Sequence, residues 1–382
     1  MKILIQGAGI AGCYVAAALS QQGHNVTVVE KKSNIFTRGA GIVLYSNALK
    51  CLDYIGVLDK ILLKGCTLSG DTEFWSYDSK LLGKVYFPSI EKKYPSYVGI
   101  NRYEFLKILY KTASRYKVKF HFNCFILNET LNGYLNSKVS LNNGISDNYD
   151  LIIAADGTNS SIRQHLFKNQ QSVFTNFGLW HSLHLRRPEI NEKIIVIGDG
   201  FRLGFVPLDN EYMYTWAAMP EESKYKIPIE QQPAAMKEKF SSHCNGLVKE
   251  IIDEIDSLTH VNFTCVEEVN LPKPWNKGNI VFIGDSAHAS LPFMAQGGAQ
   301  ALQDAATLTQ LLNLDSNLDN VLKMYVDYRY DIARYVQTQC RQIGLGFKSK
   351  DNFDLKISQS KVDDFYLNEK NFILPNDLLG KN

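Results

Sequence analysis

Three short stretches of the chain are apolar at nearly every position and then break into a glycine turn. They are Lys2-Ile3-Leu4-Ile5-Gln6 before Gly7, Leu151-Ile152-Ile153-Ala154-Ala155 before Asp156-Gly157, and Asn279-Ile280-Val281-Phe282-Ile283 before Gly284-Asp285. A continuous apolar run predicts a strand buried on both faces, as in a parallel sheet covered by helices. An apolar helix follows the first run to about residue 22, and a second strand over 26–29 ends on Glu30. Helical spacing returns over 46–55 and over 102–116, where Phe105, Leu106, Leu109 and Tyr110 share a face. It appears again from Gly297, with Ala301, Leu302, Ala305 and Leu308 on one side, and over 318–344. Ser160 is a candidate N-cap for a short helix carrying Arg163.

Elsewhere the pattern alternates. Residues 67–87 predict hairpin strands, 118–122 and 125–127 shorter ones, and Asn142-Asn143-Gly144 a turn. From 172 to 271 strand-like stretches recur at 179–185, 194–197, 201–207, 212–218 and 261–269, with a helical insert over 231–255. Tyr212, Tyr214 and Trp216 share one face of their strand, which either packs on a core or walls a pocket for something flat. The tail beyond Ser349 is charged and weakly patterned.

Composition narrows the classes. The 382 residues are 45% hydrophobic and 21% charged, as in an ordinary globular protein, and suffice for two or three domains or one interleaved unit. A net charge of +2 gives no reason to expect nucleic acid or an anionic membrane. No apolar run reaches the length of a membrane span, and the first strand follows directly on Lys2 with no leader-like stretch before it. The seven cysteines are scattered, odd in number and never spaced C-x-x-C, which suits a reducing, cytoplasmic setting. No Cys/His cluster calls for a metal, and no G-x-S-x-G elbow suggests a hydrolase.

The strongest chemical signal is the first thirty residues. Strand, Gly7-Ala8-Gly9-Ile10-Ala11-Gly12, helix, strand and Glu30 form the dinucleotide-binding fingerprint. Gly7 permits the turn, Gly9 lets backbone approach a pyrophosphate, and Gly12 lets helix and strand pack closely. The helix N-terminus offers N–H groups to phosphate, and Glu30 can accept from ribose hydroxyls. FAD and NAD both satisfy this pattern. Arg38-Gly39-Ala40-Gly41-Ile42 is either a plain turn or a second close backbone approach.

Taken together, three stretches resemble the single-component flavin monooxygenases, the family of para-hydroxybenzoate hydroxylase, salicylate hydroxylase and kynurenine 3-monooxygenase. They are the glycine loop with Glu30; Asp156, Gly157, Ser160 and Arg163 in a D-G-x-x-S-x-x-R pattern; and Gly284-Asp285 with Ala287-His288, Pro292 and Gln296-Gly297. The 38–49 stretch and Arg102 are also similar, so the likeness spans about 1–344. Ala295 and Ser286 depart mildly from the family pattern.

The resemblance implies an α/β fold: a Rossmann-like FAD-binding domain interleaved with a mixed β-sheet substrate domain, plus a C-terminal helix. Residues 1–70, 100–171 and 272–317 would form the first domain, 71–99 and 172–271 the second, and 318–382 the helix and tail. It also implies contacts to FAD from Gly9, Ile10, Ala11 and Gly12 at the pyrophosphate, Glu30 and Lys31 at the ribose, and Arg38, Gly41 and Ile42 along the flavin. Arg102 would meet the ribityl chain or a phosphate, Asp285 a ribityl hydroxyl, and Pro292, Gly297 and Gly298 the isoalloxazine. Asp156 would support both FAD and a transient nicotinamide. A helix N-terminus at Gly297 suits the negative charge of reduced flavin near N1. His288 reads better as packing than as a base.

The implied activity is an NADPH- or NADH-consuming monooxygenase that hydroxylates an aromatic or polycyclic small molecule with O₂ through a C4a-hydroperoxyflavin. With one dinucleotide fingerprint, the nicotinamide binds transiently. The protein is expected as a monomer or weak homodimer with no nucleic acid or membrane partner. Candidates for the substrate wall are Trp180, Phe201, Arg202, Phe205, Tyr214, Trp216, Phe293 and Met294. Arg202 would pair a substrate carboxylate or form an exposed salt bridge. A tetracycline-inactivating monooxygenase and a non-catalytic FAD-binding redox sensor are the alternatives, and no residue stands out as a base for the substrate.

Overall fold

Lys2–Gln6 is a central strand of a six-stranded sheet with Asn25–Glu30 on one side and Leu151–Ala154 on the other, all parallel. Lys119–Phe122 and Ile280–Phe282 extend it in parallel, and the short Asn276–Lys277 closes one edge antiparallel. The computed structural model describes residues 1–35, 40–131, 138–348 and 354–368. All four residues of Leu151–Ala154 and all three of Ile280–Phe282 are buried, because helices cover both faces of the sheet. Helix Ile10–Gln21 packs on Arg102–Arg115 and on Gly297–Leu314, and Leu318–Leu345 packs outside the last. Ala11 through Leu19 are therefore all buried, which is why that helix is apolar all round. No helix among the described residues is long and apolar enough to cross a membrane.

A second, seven-stranded sheet runs in the order Val261–Glu268, Val173–Leu185, Tyr212–Pro220, Arg202–Pro207, Lys193–Ile197, Asp71–Ser76 and Leu81–Tyr86. Side chains alternate across it. Trp180, Ile194, Val196, Leu203, Phe205, Met213 and Ala217 point to one side and pack on Met236, Phe240, Val248, Ile251 and Ile252 of helices Gln232–Ser241 and Gly246–Asp253. Tyr214, Trp216, Lys193 and Ile195 point the other way, into cavities. A three-stranded sheet, Gly41–Tyr45, Tyr97–Asn101 and Cys66–Leu68, packs against that second face through Tyr45, Tyr97 and Tyr214.

The elements depart from the sequence pattern in four places. The 67–87 stretch divides, with Cys66–Leu68 joining the small sheet and only Asp71–Ser76 and Leu81–Tyr86 forming the hairpin. The 125–127 strand shrinks to one bridge at Ile126, because Phe125 N donates to the Asn142 side chain instead of to a neighbouring strand. The 231–255 insert is two helices. A further helix, Leu355–Leu367, lies beyond the long one; its Gln359 side chain exchanges two hydrogen bonds with the Tyr86 backbone at 2.8 and 3.0 Å and so covers the edge strand.

Candidate active site

A cavity of about 530 Å³ lies between the two large sheets, and the ends of the three apolar strands open onto it. Two helices begin at its wall with no side-chain cap and no acid in the first turn: Ile10–Gln21 after Gly9, and Gly297–Leu314 after Gln296. Their first N–H groups are left for a ligand, and the positive ends of both dipoles face the same space. Around Gly9 and Gly297 a Cβ would meet nothing within 4 Å. Gly7 and Gly12 do different work. Gly7 sits at φ +107°, and a Cβ on Gly12 would lie 1.9 Å from the Gly7 carbonyl oxygen, so this pair sets the turn while Gly9 faces the opening. Gly41 is likewise pressed on the Tyr214 ring, 2.3 Å from where a Cβ would be.

Arg102 and Asp285 line the cavity and feel each other's charge. Burial pushes the Asp285 carboxyl up, against His288 and Arg102, with Asp304 adding to the rise. His181 also faces the cavity; burial and then Arg102 lower its pKa to about 4, so its imidazole is neutral at pH 7. His184, three residues on, points to the opposite face and pairs with Ser182 Oγ at 2.7 Å, so the two histidines cannot share a ligand. Among the described residues no group of three or more His, Cys, Asp or Glu could hold a metal ion.

Gly9, Ile10, Ala11, Gly41, Ile42, Arg102, Asp285, Pro292, Gly297 and Gly298 meet in this one cavity. Glu30 stands behind it, its carboxylate accepting from Ala8 N at 2.8 Å and Lys32 N at 2.9 Å, which fixes the glycine loop. Asp156 also turns away from the opening. It accepts from Gln6 Nε2 and Ser161 N at 3.1 and 2.9 Å, while Gly157 and Thr158 reach the cavity in its place. Lys31 is exposed at the surface, and Arg38 lies outside the described residues. His288 is buried, with Nε2 2.6 Å from Asp304, whose other oxygen accepts from Arg329 Nε at 2.8 Å. That is a packed ion network behind the site.

A second chamber of about 220 Å³ adjoins the first, and Lys193, Ile195, Trp216 and Phe293 line both. Its remaining wall includes Tyr45, Phe87, Arg202, Met294, Phe347 and, from the last helix, Phe365 and Tyr366. Of the expected wall residues, Arg202, Trp216, Phe293 and Met294 line this chamber and Tyr214 the larger cavity. Trp180, Phe201 and Phe205 do not. They pack in the core on the far side of the sheet, the first two in edge-on contact with Phe240. Arg202 is buried in the chamber wall and forms no exposed salt bridge. Its Nη1 donates to the carbonyls of Gly198 and Phe201 at 2.8 Å each and its Nη2 to that of Gly346 at 3.1 Å, tying a strand to the end of the long helix.

Sequence reasoning passed over Lys193 altogether. It is 5% exposed, and its Nζ lies 2.6 Å from Tyr45 Oη and 4.8 to 5.8 Å from the ring centres of Phe87, Tyr45 and Tyr97. Burial lowers its pKa to about 7. A lysine opening a strand ordinarily marks an exposed end. Only the fold brings three aromatic rings, from residues 45, 87 and 97, around it.

The family whose description is "FAD binding domain" matches residues 1–339. The 2-heptyl-3-hydroxy-4(1H)-quinolone synthase of Pseudomonas aeruginosa is 29% identical over 90% of this chain and 89% of its own. Among solved structures, Klebsiella pneumoniae HpxO complexed with FAD and uric acid superposes with a TM-score of 0.81 at 21% identity, covering 100% of this chain and 95% of that one. The tetracycline destructase Tet(55) superposes at 0.74 with 19% identity over 98% and 97%.

Proposed function

Because the chain belongs to the FAD binding domain family and is an FAD-dependent oxidoreductase of its aromatic monooxygenase branch, we propose that it spends NADPH or NADH and O₂ to hydroxylate a small aromatic or polycyclic molecule held in the chamber beside Lys193, Trp216 and Phe293. The observation that carries this reading is the shared wall: a large cavity with two uncapped helix N-termini opens beside a smaller aromatic chamber through four common residues. The open cradle at Gly9, the free N–H groups and the Arg102–Asp285 pair fit a dinucleotide that carries a pyrophosphate, a polyol and a ring able to bear negative charge.

In this reading Gly9, Ile10 and Ala11 bind the pyrophosphate, Arg102 and Asp285 the ribityl chain, and Gly297 and Gly298 offer N–H groups to the N1–C2=O edge. Gly41, Ile42 and Pro292 border the rings. Glu30 and Asp156 hold the two loops in place from behind. Held by these residues, FAD would supply acceptance of hydride from the nicotinamide and activation of O₂, one oxygen atom entering the substrate and the other leaving as water. The chain positions the ring through Trp216 and Phe293 and keeps bulk water out with the Leu355–Leu367 helix.

The test is NAD(P)H oxidation by the yellow holoenzyme over a panel of phenols, aromatic acids, 4-quinolones, uric acid and tetracycline, with products weighed by mass spectrometry. Substrate-stimulated oxidation and a product heavier by one oxygen atom are expected. Oxidation indifferent to every ring, with no oxygenated product, would sink the hydroxylase. Oxygen gain on tetracycline alone would establish the antibiotic-inactivating variant, and a flavin that NAD(P)H cannot bleach without air would mark a redox sensor.

A further inference from the structure

Lys193 is a buried amine with no ion-pair partner among the described residues, placed where the two cavities meet. A buried charge without a counterion is costly, and such a residue in a core is normally replaced by an apolar one. The ring faces of Phe87, Tyr45 and Tyr97 favour its ammonium form only in part. Titratable groups face it from several elements. Tyr45 and Tyr97 come from the small sheet, Tyr366 and Lys361 from the last helix, and Arg202 from the neighbouring strand, its guanidinium engaged by three carbonyls. Nearby carboxylates are occupied elsewhere: Glu73 and Asp71 by Lys84, Glu192 by the Ser69 amide, and Asp354 by the first amides of its own helix. The chamber is the open side from which a counter-charge would come.

We propose that Lys193, with Tyr45 hydrogen-bonded to it, is the residue that takes the proton from an ionisable group on the substrate ring and holds the anion that results. This rests on the hydroxylase reading above and names the proton acceptor for it. In the step, the ring O–H or N–H bond breaks, its electron pair stays on the ring heteroatom, and the proton forms a new bond with the Nζ lone pair. No oxidation state changes. The ring becomes more electron-rich, which is what an electrophilic oxygen donor requires. A pKa near 7 lets the amine accept the proton at neutral pH and keep it against a phenolate. Tyr45, whose own pKa burial holds well above the usual phenol range, stays protonated and orients the amine.

The experiment uses FAD-loaded enzyme and 4-nitrophenol, whose two protonation states differ in colour. Difference spectra across pH for the wild type, Lys193→Met, Lys193→Arg and Tyr45→Phe report the state of the bound probe. The wild type is expected to bind phenolate at a pH at least about one unit below the midpoint of the free probe. Lys193→Met should abolish that shift while keeping its flavin. Lys193→Arg should hold an anion added as such yet lose turnover, because an arginine cannot accept a proton. Tyr45→Phe should keep part of the shift. A wild type that binds no probe or binds it neutral, or a Lys193→Met variant with the same shift, would overturn the proposal. NAD(P)H oxidation in the same samples separates the two readings: probe ionisation without turnover of any ring leaves Lys193 standing and removes the hydroxylase.

Discussion

Arg163 Nη1 donates to the buried main-chain carbonyl of Ser286 at 2.8 Å. The same guanidinium reaches Thr158 O at 2.6 Å and Gln170 O at 2.9 Å, and its residue is 0% exposed. One side chain thus locks the loop after Leu151–Ala154 to the loop after Ile280–Phe282. Arg163→Ala leaves one buried and two part-buried carbonyls without their donor, and a loss of about 2–3 kcal/mol in unfolding free energy is expected by chemical denaturation. Arg163→Lys should recover little of it, since a single ammonium cannot span three directions.

Gly9 and Gly12 are expected to separate binding from folding. A Cβ at Gly9 enters open space, so Gly9→Ala should change apo-protein stability by no more than about 1 kcal/mol yet weaken FAD binding about tenfold or more. A Cβ at Gly12 collides with the Gly7 carbonyl, so Gly12→Ala should destabilise the apo-protein itself by about 1–3 kcal/mol. Denaturation without cofactor, followed by flavin titration, checks both.

Lys193 also leaves a mark on stability. Its folded pKa, about 7, lies below the ordinary lysine value of 10.5, so above pH 7 the unfolded chain binds more protons and this group makes stability rise with pH up to about 10.5. Below pH 7 the full cost of its buried charge is present. Lys193→Met should therefore raise the melting temperature most at pH 6, with the gain shrinking steadily toward pH 10, as thermal melts across that range would register.

Asp304 works in the opposite sense. Burial alone would raise its pKa, but His288 and Arg329 hold it down at about 2. Its ion network stabilises the fold fully above the ordinary carboxylate range, and that contribution is lost as pH falls through about 2. Asp304→Asn should cost about 3–5 kcal/mol at pH 7, a difference that narrows in acid. Urea denaturation at pH 7 and pH 3 is the measurement.

Much of this architecture was legible because backbone geometry demanded particular residues. A strand buried on both faces has to be apolar throughout, and a turn as tight as Gly7 admits little else, so the three strand–glycine units and ten cavity residues could be read from the chain. Alternation in the second sheet was equally visible, but it assigns residues to shared faces without saying which face looks inward. Trp180 and Phe205 were thus expected on the wall that Tyr214 and Trp216 occupy, when two helices had already claimed the other side. Lys193 was illegible for a related reason: its meaning depends on rings from 45, 87 and 97, which pairing brings together and sequence proximity does not. The Leu355–Leu367 helix divides its apolar residues between the chamber and the sheet edge, which blurs its periodicity.

The position of Lys2–Gln6 at the heart of its sheet has a consequence for biosynthesis. Its partner on one side, Asn25–Glu30, emerges almost at once, but its other edge stays open until Leu151–Ala154 is made. At about 5–20 residues per second that wait is roughly 7–30 s, and the Gly297 helix arrives later still. A nascent chain carrying the complete glycine fingerprint is therefore an apolar ribbon with one edge still open, and it gains a nucleotide cradle only when distant segments fall into register around it.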